Sequence, residues 1–188
     1  MMDPILLDLP TKIETERLVL RIPQPGDGKV VNQAICESIE ELRPWLSFAK
    51  KKPSIEETEA DVRIAHAHFF LRKEIRFHIY SKADGRFIGT VRLHHPSWKV
   101  PRFELGYWIH TKESGKGYIT EAVEALVQYA VEEVGAKRIE CLIGTDNKKS
   151  CKIPEKLGFT LEGILKNEYT NGEGVLIDSY VYALTPGR

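Results

Sequence analysis

The chain has 188 residues, 42% of them hydrophobic and 29% charged, which is the length and composition of one globular domain with its own core. Its 27 basic and 27 acidic side chains cancel, which removes the electrostatic case for a nucleic acid or an anionic membrane surface as partner. Cys36, Cys141 and Cys151 form no metal or redox spacing, and neither a bilayer-spanning apolar run nor a signal-peptide pattern is present, so a reduced, cytoplasmic setting is expected.

Residues 1–12 are expected to form a loosely held arm ahead of a single domain spanning 13–188. Arg17–Ile22 alternates, with Leu18, Leu20 and Ile22 on one face, and predicts a first strand ended by Pro23 to Asp27. The spacing of Val30, Val31, Ala34 and Ile35 predicts a helix over about 27–38. Leu42-Arg-Pro-Trp-Leu46 reads as a short turn with apolar anchors. Ser54 and Glu57 form a capping box opening a helix to about Leu71. Strands over Ile75–Ser81 and Arg86–Leu93 follow, joined by a hairpin turn at Gly85. His94 to Pro101 reads as a loop, and Phe103–Ile109 as the next strand.

The stretch Glu113-Ser-Gly-Lys-Gly-Tyr-Ile-Thr120 then meets an amphipathic pattern with Val123, Leu126, Val127, Ala130, Val131 and Val134 on one face. Strand, glycine loop and helix in that order make an anion site. The glycines let a ligand approach the backbone, and the first helical turn offers free N–H groups at the positive end of the dipole. Neither of two common phosphate loops fits. Tyr118 stands where a P-loop needs a hydroxyl, and Thr120 stands where a dinucleotide fingerprint needs its third glycine. Beyond Gly135 come a strand over Arg138–Ile143, a short helix over 147–157, and strands over about Thr160–Leu165 and Val175–Ala183 linked by a turn at Asn171-Gly172. The sum is an α+β fold, a mostly antiparallel twisted sheet flanked by helices.

Gly115-Lys-Gly-Tyr118 with Asn147-Lys-Lys-Ser-Cys-Lys-Ile-Pro-Glu-Lys-Leu-Gly-Phe159 resembles the GCN5-related N-acetyltransferases. The closer likeness is to the branch that acetylates the amino termini of ribosomal proteins. It extends through Thr15-Glu-Arg-Leu-Val-Leu-Arg21, Leu42-Arg-Pro-Trp-Leu46, Ile88-Gly89, Glu104-Leu-Gly-Tyr-Trp-Ile109, Asn171-Gly172 and Asp178, nearly the whole chain. The resemblance implies the acyl-CoA N-acyltransferase fold with splayed central strands, and acetyl-CoA as donor without a metal. It implies a pantetheine arm paired with the backbone of Tyr107, Trp108 and Ile109. It also implies a diphosphate on the N–H groups of Gly115, Lys116, Gly117, Tyr118, Ile119 and Thr120, and Asn147 on the pantetheine amides. The family loop often carries Gln or Arg three residues before the second glycine and a small residue two after it; this chain has Ser114 and Ile119.

Many relatives carry a tyrosine just before Glu-Lys-Leu-Gly-Phe as proton donor to the thiolate, and here Pro154 occupies that place. The resemblance implies Ser150 as general acid instead, against the plainer reading of a first-turn helix serine. Pro154 also removes the N–H that would bond the Ser150 carbonyl, leaving that carbonyl for water or ligand. Glu104, acting through a water, is the candidate general base, with His78 and His94 as runners-up. Backbone N–H groups near Trp108 or Ile109 are candidates to polarise the thioester carbonyl. Trp45 is either a core aromatic or a wall of the acceptor pocket. His66 and His68 diverge on their helix and cannot share a metal, and Cys151 reads as a small buried residue. The expected function is transfer of acetyl to a primary amine, foremost a protein N-terminus and alternatively a polyamine, amino sugar or amino acid. A non-catalytic acyl-CoA-binding module and a nucleotide-binding domain are the competing classes, and an exposed late strand suggests a homodimer.

Overall fold

Lys12–Glu14 forms strand β1, antiparallel to β2 (Leu18–Arg21), in which Leu18 and Leu20 are buried. The structure, a computed structural model, describes residues 3–187, so the first two residues of the expected arm lie outside the described residues. The end of that arm is tied to the domain. Leu9 buries in the core, and the Tyr129 hydroxyl donates to the Pro10 carbonyl at 2.9 Å, so packing fixes a segment that carries no periodic signal of its own.

Helix α1 (Gly28–Leu42) buries Val31, Ala34, Ile35, Ile39 and Leu42, while Val30, expected in that stripe, is exposed. Ser54 caps α2 (Ile55–Phe70), and both arms of the predicted box are made: Ser54 Oγ accepts from the Glu57 N–H at 3.0 Å, and Glu57 accepts from the Ser54 N–H at 2.7 Å. The sheet continues through β3 (Ile75–Ser81), β4 (Phe87–Ser97) and β5 (Arg102–Ile109). Then follow helix α3 (Tyr118–Glu132), β6 (Arg138–Gly144), helix α4 (Lys148–Lys156), β7 (Thr160–Thr170) and β8 (Leu176–Leu184). β4 runs four residues beyond the predicted Leu93, taking His94–Ser97 out of the expected loop and into the ladder with β5.

The eight strands stand in the order β1-β2-β3-β4-β5-β6-β8-β7, and every neighbouring pair is antiparallel except β5–β6. The sheet separates two cores. Phe103 and Leu105 of β5 bury with Val123, Leu126 and Ala130 of α3. Trp108 instead packs with Val31, Ile39 and Phe87 under α1 and α2. Among the described residues no helix is long and apolar enough to cross a membrane.

Candidate active site

The parallel pair β5–β6 is joined for only three residues: Arg102↔Arg138, Phe103↔Ile139 and Glu104↔Glu140. Beyond Glu104 each strand keeps its outer partner, β4 on one side and β8 on the other, and the inner edges separate. The direction of the exposed amides follows from alternation along a strand. The Pro101 carbonyl accepts from Lys137 on the β6 side at 2.7 Å, and the His110 N–H donates to Ile88 on the β4 side at 2.8 Å. Odd-numbered residues between them therefore face the gap, so Tyr107 and Ile109 present free N–H and C=O groups there. The Trp108 main chain faces β4; of the two residues expected to polarise a carbonyl, only Ile109 has its N–H in the opening. The Trp108 indole lies on the α1 side, 5.7 Å from the Phe87 ring and 6.5 Å from the Phe48 ring.

The glycine loop closes the same end of the sheet. Gly115 and Gly117 both have φ of +80°, which L side chains adopt only with strain, and Gly117 is the N-cap of α3. A β-carbon at Gly115 would meet nothing within 4 Å, and one at Gly117 would meet only Arg17, at 3.4 Å. The turn leaves the first-turn N–H groups of Tyr118, Ile119 and Thr120 without helical acceptors, so the cradle fits an anion such as a diphosphate. The half-buried Ile119 side chain packs against the main core. The Lys116 ammonium is held by Glu113 at 3.0 Å, and the nearly buried Glu113 also accepts from Arg86; these two cations keep its carboxyl below the usual range against the opposing cost of burial.

Asn147 begins α4, its Oδ1 accepting from the Ser150 N–H at 3.2 Å, which leaves its amide NH₂ for a ligand. Ser150 Oγ makes no hydrogen bond to another described residue. The Ser150 carbonyl, expected to be left for water or ligand, is taken by the Tyr107 hydroxyl, which donates to it at 3.0 Å. A side chain of β5 thus substitutes for the N–H that Pro154 lacks, tying α4 across the gap. Burial beside Cys141 and Cys151 pushes the Tyr107 phenol above its ordinary value. Tyr107→Phe is expected to lower stability by about 1 kcal/mol, because it removes the hydrogen bond to a half-buried carbonyl. Thermal melting should show a Tm several degrees lower, and a smaller loss in a Pro154→Ala background, where residue 154 regains its N–H.

Glu104 sits at the point of divergence, on the sheet face opposite the Tyr107 phenol. Its carboxylate meets His95 Nδ1 at 2.9 Å and His94 Nε2 at 3.5 Å. His95 has φ of +48°, at the bulge where β4 loses register with β5, and its ring lies 4.4 Å from that of His94. These three side chains bring metal-type ligand atoms within 4.8 Å of one another. The Arg92 guanidinium shares the space over Gly106 with His94, so cationic charge already fills the neighbourhood.

Burial, then the charges of Arg92, His95 and Arg76, press the His94 imidazole down to about 3. The folded chain thus refuses a proton that the unfolded chain takes up near pH 6.5. Stability should fall as pH drops from about 6.5 towards 3, and His94→Gln should flatten that slope in urea titrations. His78, the other runner-up base, is a core histidine, buried against Asp27 at 3.2 Å, its pKa lowered by desolvation against the opposing pull of Asp27.

Trp45 is half-buried, its ring edge 3.6 Å from where a Gly144 β-carbon would stand, at the open end of β6. The β7–β8 hairpin holds it there. The Tyr169 hydroxyl donates to the Trp45 carbonyl at 2.9 Å, and the Asn171 amide to the Pro44 carbonyl at 3.0 Å. Tyr169 is not expected at the site from the sequence, and Tyr107 is expected there only for its main chain, not for its hydroxyl. The only local clue is Pro154, which demands a foreign donor for the Ser150 carbonyl.

Residues 17–160 match the family described as the acetyltransferase (GNAT) domain. The chain is 30% identical over 158 residues to the putative ribosomal N-acetyltransferase YdaF of Bacillus subtilis (strain 168), covering 84% of this chain and 86% of that one. It is 26% identical to the ribosomal-protein-serine acetyltransferase of Escherichia coli (strain K12), covering 84% and 87%. Among solved structures, RimL, a ribosomal L7/L12 α-N-protein acetyltransferase in complex with coenzyme A, superposes with a TM-score of 0.86 at 20% identity, covering 94% of this chain and 97% of that one.

Proposed function

The chain belongs to the GNAT family of acetyl-CoA-dependent N-acetyltransferases, and from that premise we propose that its acceptor is the α-amino group of a protein N-terminus. The observation that carries the reading is the opening of β5 from β6 beyond Glu104 at the same end of the sheet as the glycine loop. The relatives named for ribosomal-protein acetylation supply the acceptor class.

The donor, when bound, supplies an acetyl group activated as a thioester. The N–H groups of residues 115–120 would hold its diphosphate, and Asn147 with the gap-facing main chain of Tyr107 and Ile109 would hold the arm. Tyr107 and Trp108 project to opposite faces of β5, so acid and base work from opposite sides of the sheet. Glu104, through a water, would take the ammonium proton of the incoming amine on the α1 side. Ser150 Oγ–H would give a proton to the departing sulfur on the α4 side as the C–N bond forms and the C–S bond breaks, and would regain one, through water, from the nitrogen that sheds its second proton on becoming an amide. Much of the rate comes from alignment, since a thioester is already reactive. Trp45, anchored over Gly144, would form a wall for the acceptor.

Labelled acetyl-CoA with a panel of N-terminal peptides, polyamines, amino sugars and amino acids tests this. Label is expected on peptide α-amines; label confined to small amines would overturn the acceptor class, and binding of CoA without transfer would favour a carrier module. Stronger thermal stabilisation by ATP than by CoA would overturn the donor. The proposed homodimer would use β7, an outer strand carrying exposed Leu161, Ile164 and Leu165. Light scattering should give twice the 21.4 kDa chain mass, and a monomeric mass would exclude it.

A further inference from the structure

Arg17 and Glu121 lie 104 residues apart in sequence and meet beneath the glycine loop. Arg17 Nε donates to Glu121 Oε2 at 2.6 Å. The other carboxylate oxygen accepts from the Arg17 N–H at 3.0 Å and from the Thr15 hydroxyl. Arg17 Nη1 donates to the Lys116 carbonyl at 3.0 Å, inside the loop itself. The guanidinium also lies 4.7 Å from the centre of the Tyr118 ring, and Nη2 borders the space a Gly117 side chain would fill. One side chain of β2's approach thus touches the residues on both sides of Gly117 and the first turn of α3.

Two demands of the loop are met this way. A carbonyl held outward at Lys116 keeps the following N–H groups turned towards the ligand side. The Glu121 carboxylate would otherwise stand as a bare negative charge in the turn that must accept an anion. The loop's own cation does not cancel it, because Lys116 is paired with Glu113. Nor is there a basic side chain at position 114, which is serine.

We propose that Arg17 is a positioning residue for donor binding, latching the glycine loop through the Lys116 carbonyl and neutralising Glu121 so that the cradle accepts a diphosphate. The proposal rests on the acetyl-CoA reading above. It predicts that two charges which look structural set the affinity for the nucleotide end of the donor and leave the pantetheine end untouched.

Calorimetric titration with CoA, and separately with S-acetyl-pantetheine, which lacks the diphosphate, tests it on the full chain. Arg17→Met is expected to raise the Kd for CoA at least tenfold, by exposing Glu121 and freeing the loop. Adding Glu121→Gln should recover most of that loss. S-acetyl-pantetheine should bind wild type and variants alike within twofold. Circular dichroism and thermal melting identify unfolded variants, and Arg17→Lys, which retains the charge but cannot reach both partners, should fall between. A CoA affinity unmoved by Arg17→Met overturns the proposal, as does a double variant as weak as the single one, or an equal loss for both ligands. A wild-type chain that fails to bind CoA overturns the donor reading along with it.

Discussion

Gly115→Asp is expected to weaken CoA binding about 100-fold while the chain still folds. Aspartate tolerates the left-handed region better than most residues, and a β-carbon at this position meets nothing within 4 Å, so neither strain nor clash should unfold the loop. The change places a carboxylate in the cradle proposed to receive the phosphate oxygens. At roughly 5 Å and an effective dielectric of about 20, one such repulsion is worth about 3 kcal/mol. That is about two orders of magnitude in Kd. Gly115→Ala adds the backbone strain without the charge and should cost much less, so the difference between the two isolates the electrostatics. Calorimetry measures both. An aspartate variant that binds CoA like the wild type would mean that the diphosphate sits elsewhere.

Ser150→Ala and Glu104→Gln are each expected to lower kcat by about 100-fold, the lower end of what a positioned acid or base contributes. They should fail in different ways, because the proposed mechanism assigns them to different atoms. The loss in Glu104→Gln should shrink as pH rises towards the pKa of the acceptor amine, which then arrives without its extra proton. The loss in Ser150→Ala should be insensitive to that rise but should shrink for a thioester of an acidic thiol, whose thiolate leaves without help. KM for the donor should change little in both, since neither side chain is among the loop groups proposed to hold the diphosphate. Steady-state rates across pH with two thioesters separate the patterns. Full turnover in either variant would remove that residue from the chemistry while leaving the fold and the donor site as they are.

The same two residues show how legibility divided between sequence and structure. Ser150 stands out beside Pro154 in the segment Asn147–Phe159, and Glu104 stands two residues before Gly106; both are visible as positions. That the strands between them part was implied only by the resemblance, and that the two residues lie on opposite faces of the parted sheet is not visible. It depends on where the β5–β6 ladder stops, and the pattern of Arg102–Ile109 is equally compatible with pairing along its whole length. The expectation that His94–Ser97 is a loop failed for a related reason. Pairing with β5 continues past the end of the apolar alternation, and His95 enters it with a left-handed backbone that no periodicity announces.

What the amino-acid sequence determined by itself is local. The capping box at Ser54, the 3.6-residue stripe of α3, the period-2 runs of the inner strands and the paired glycines before Tyr118 each arise among near neighbours and need no partner to be read. What the tertiary structure decided is every contact that joins distant segments. These are the Tyr107 hydroxyl on the Ser150 carbonyl, the hairpin that pins Trp45, the arm stitched into the sheet through β1, and Arg17 beneath the glycine loop. The physical reason is that backbone groups in a strand or turn must find partners, yet their chemistry is the same in every residue. Which distant group satisfies them is chosen by the packing of the two cores around the sheet, and only the folded chain brings those groups within reach.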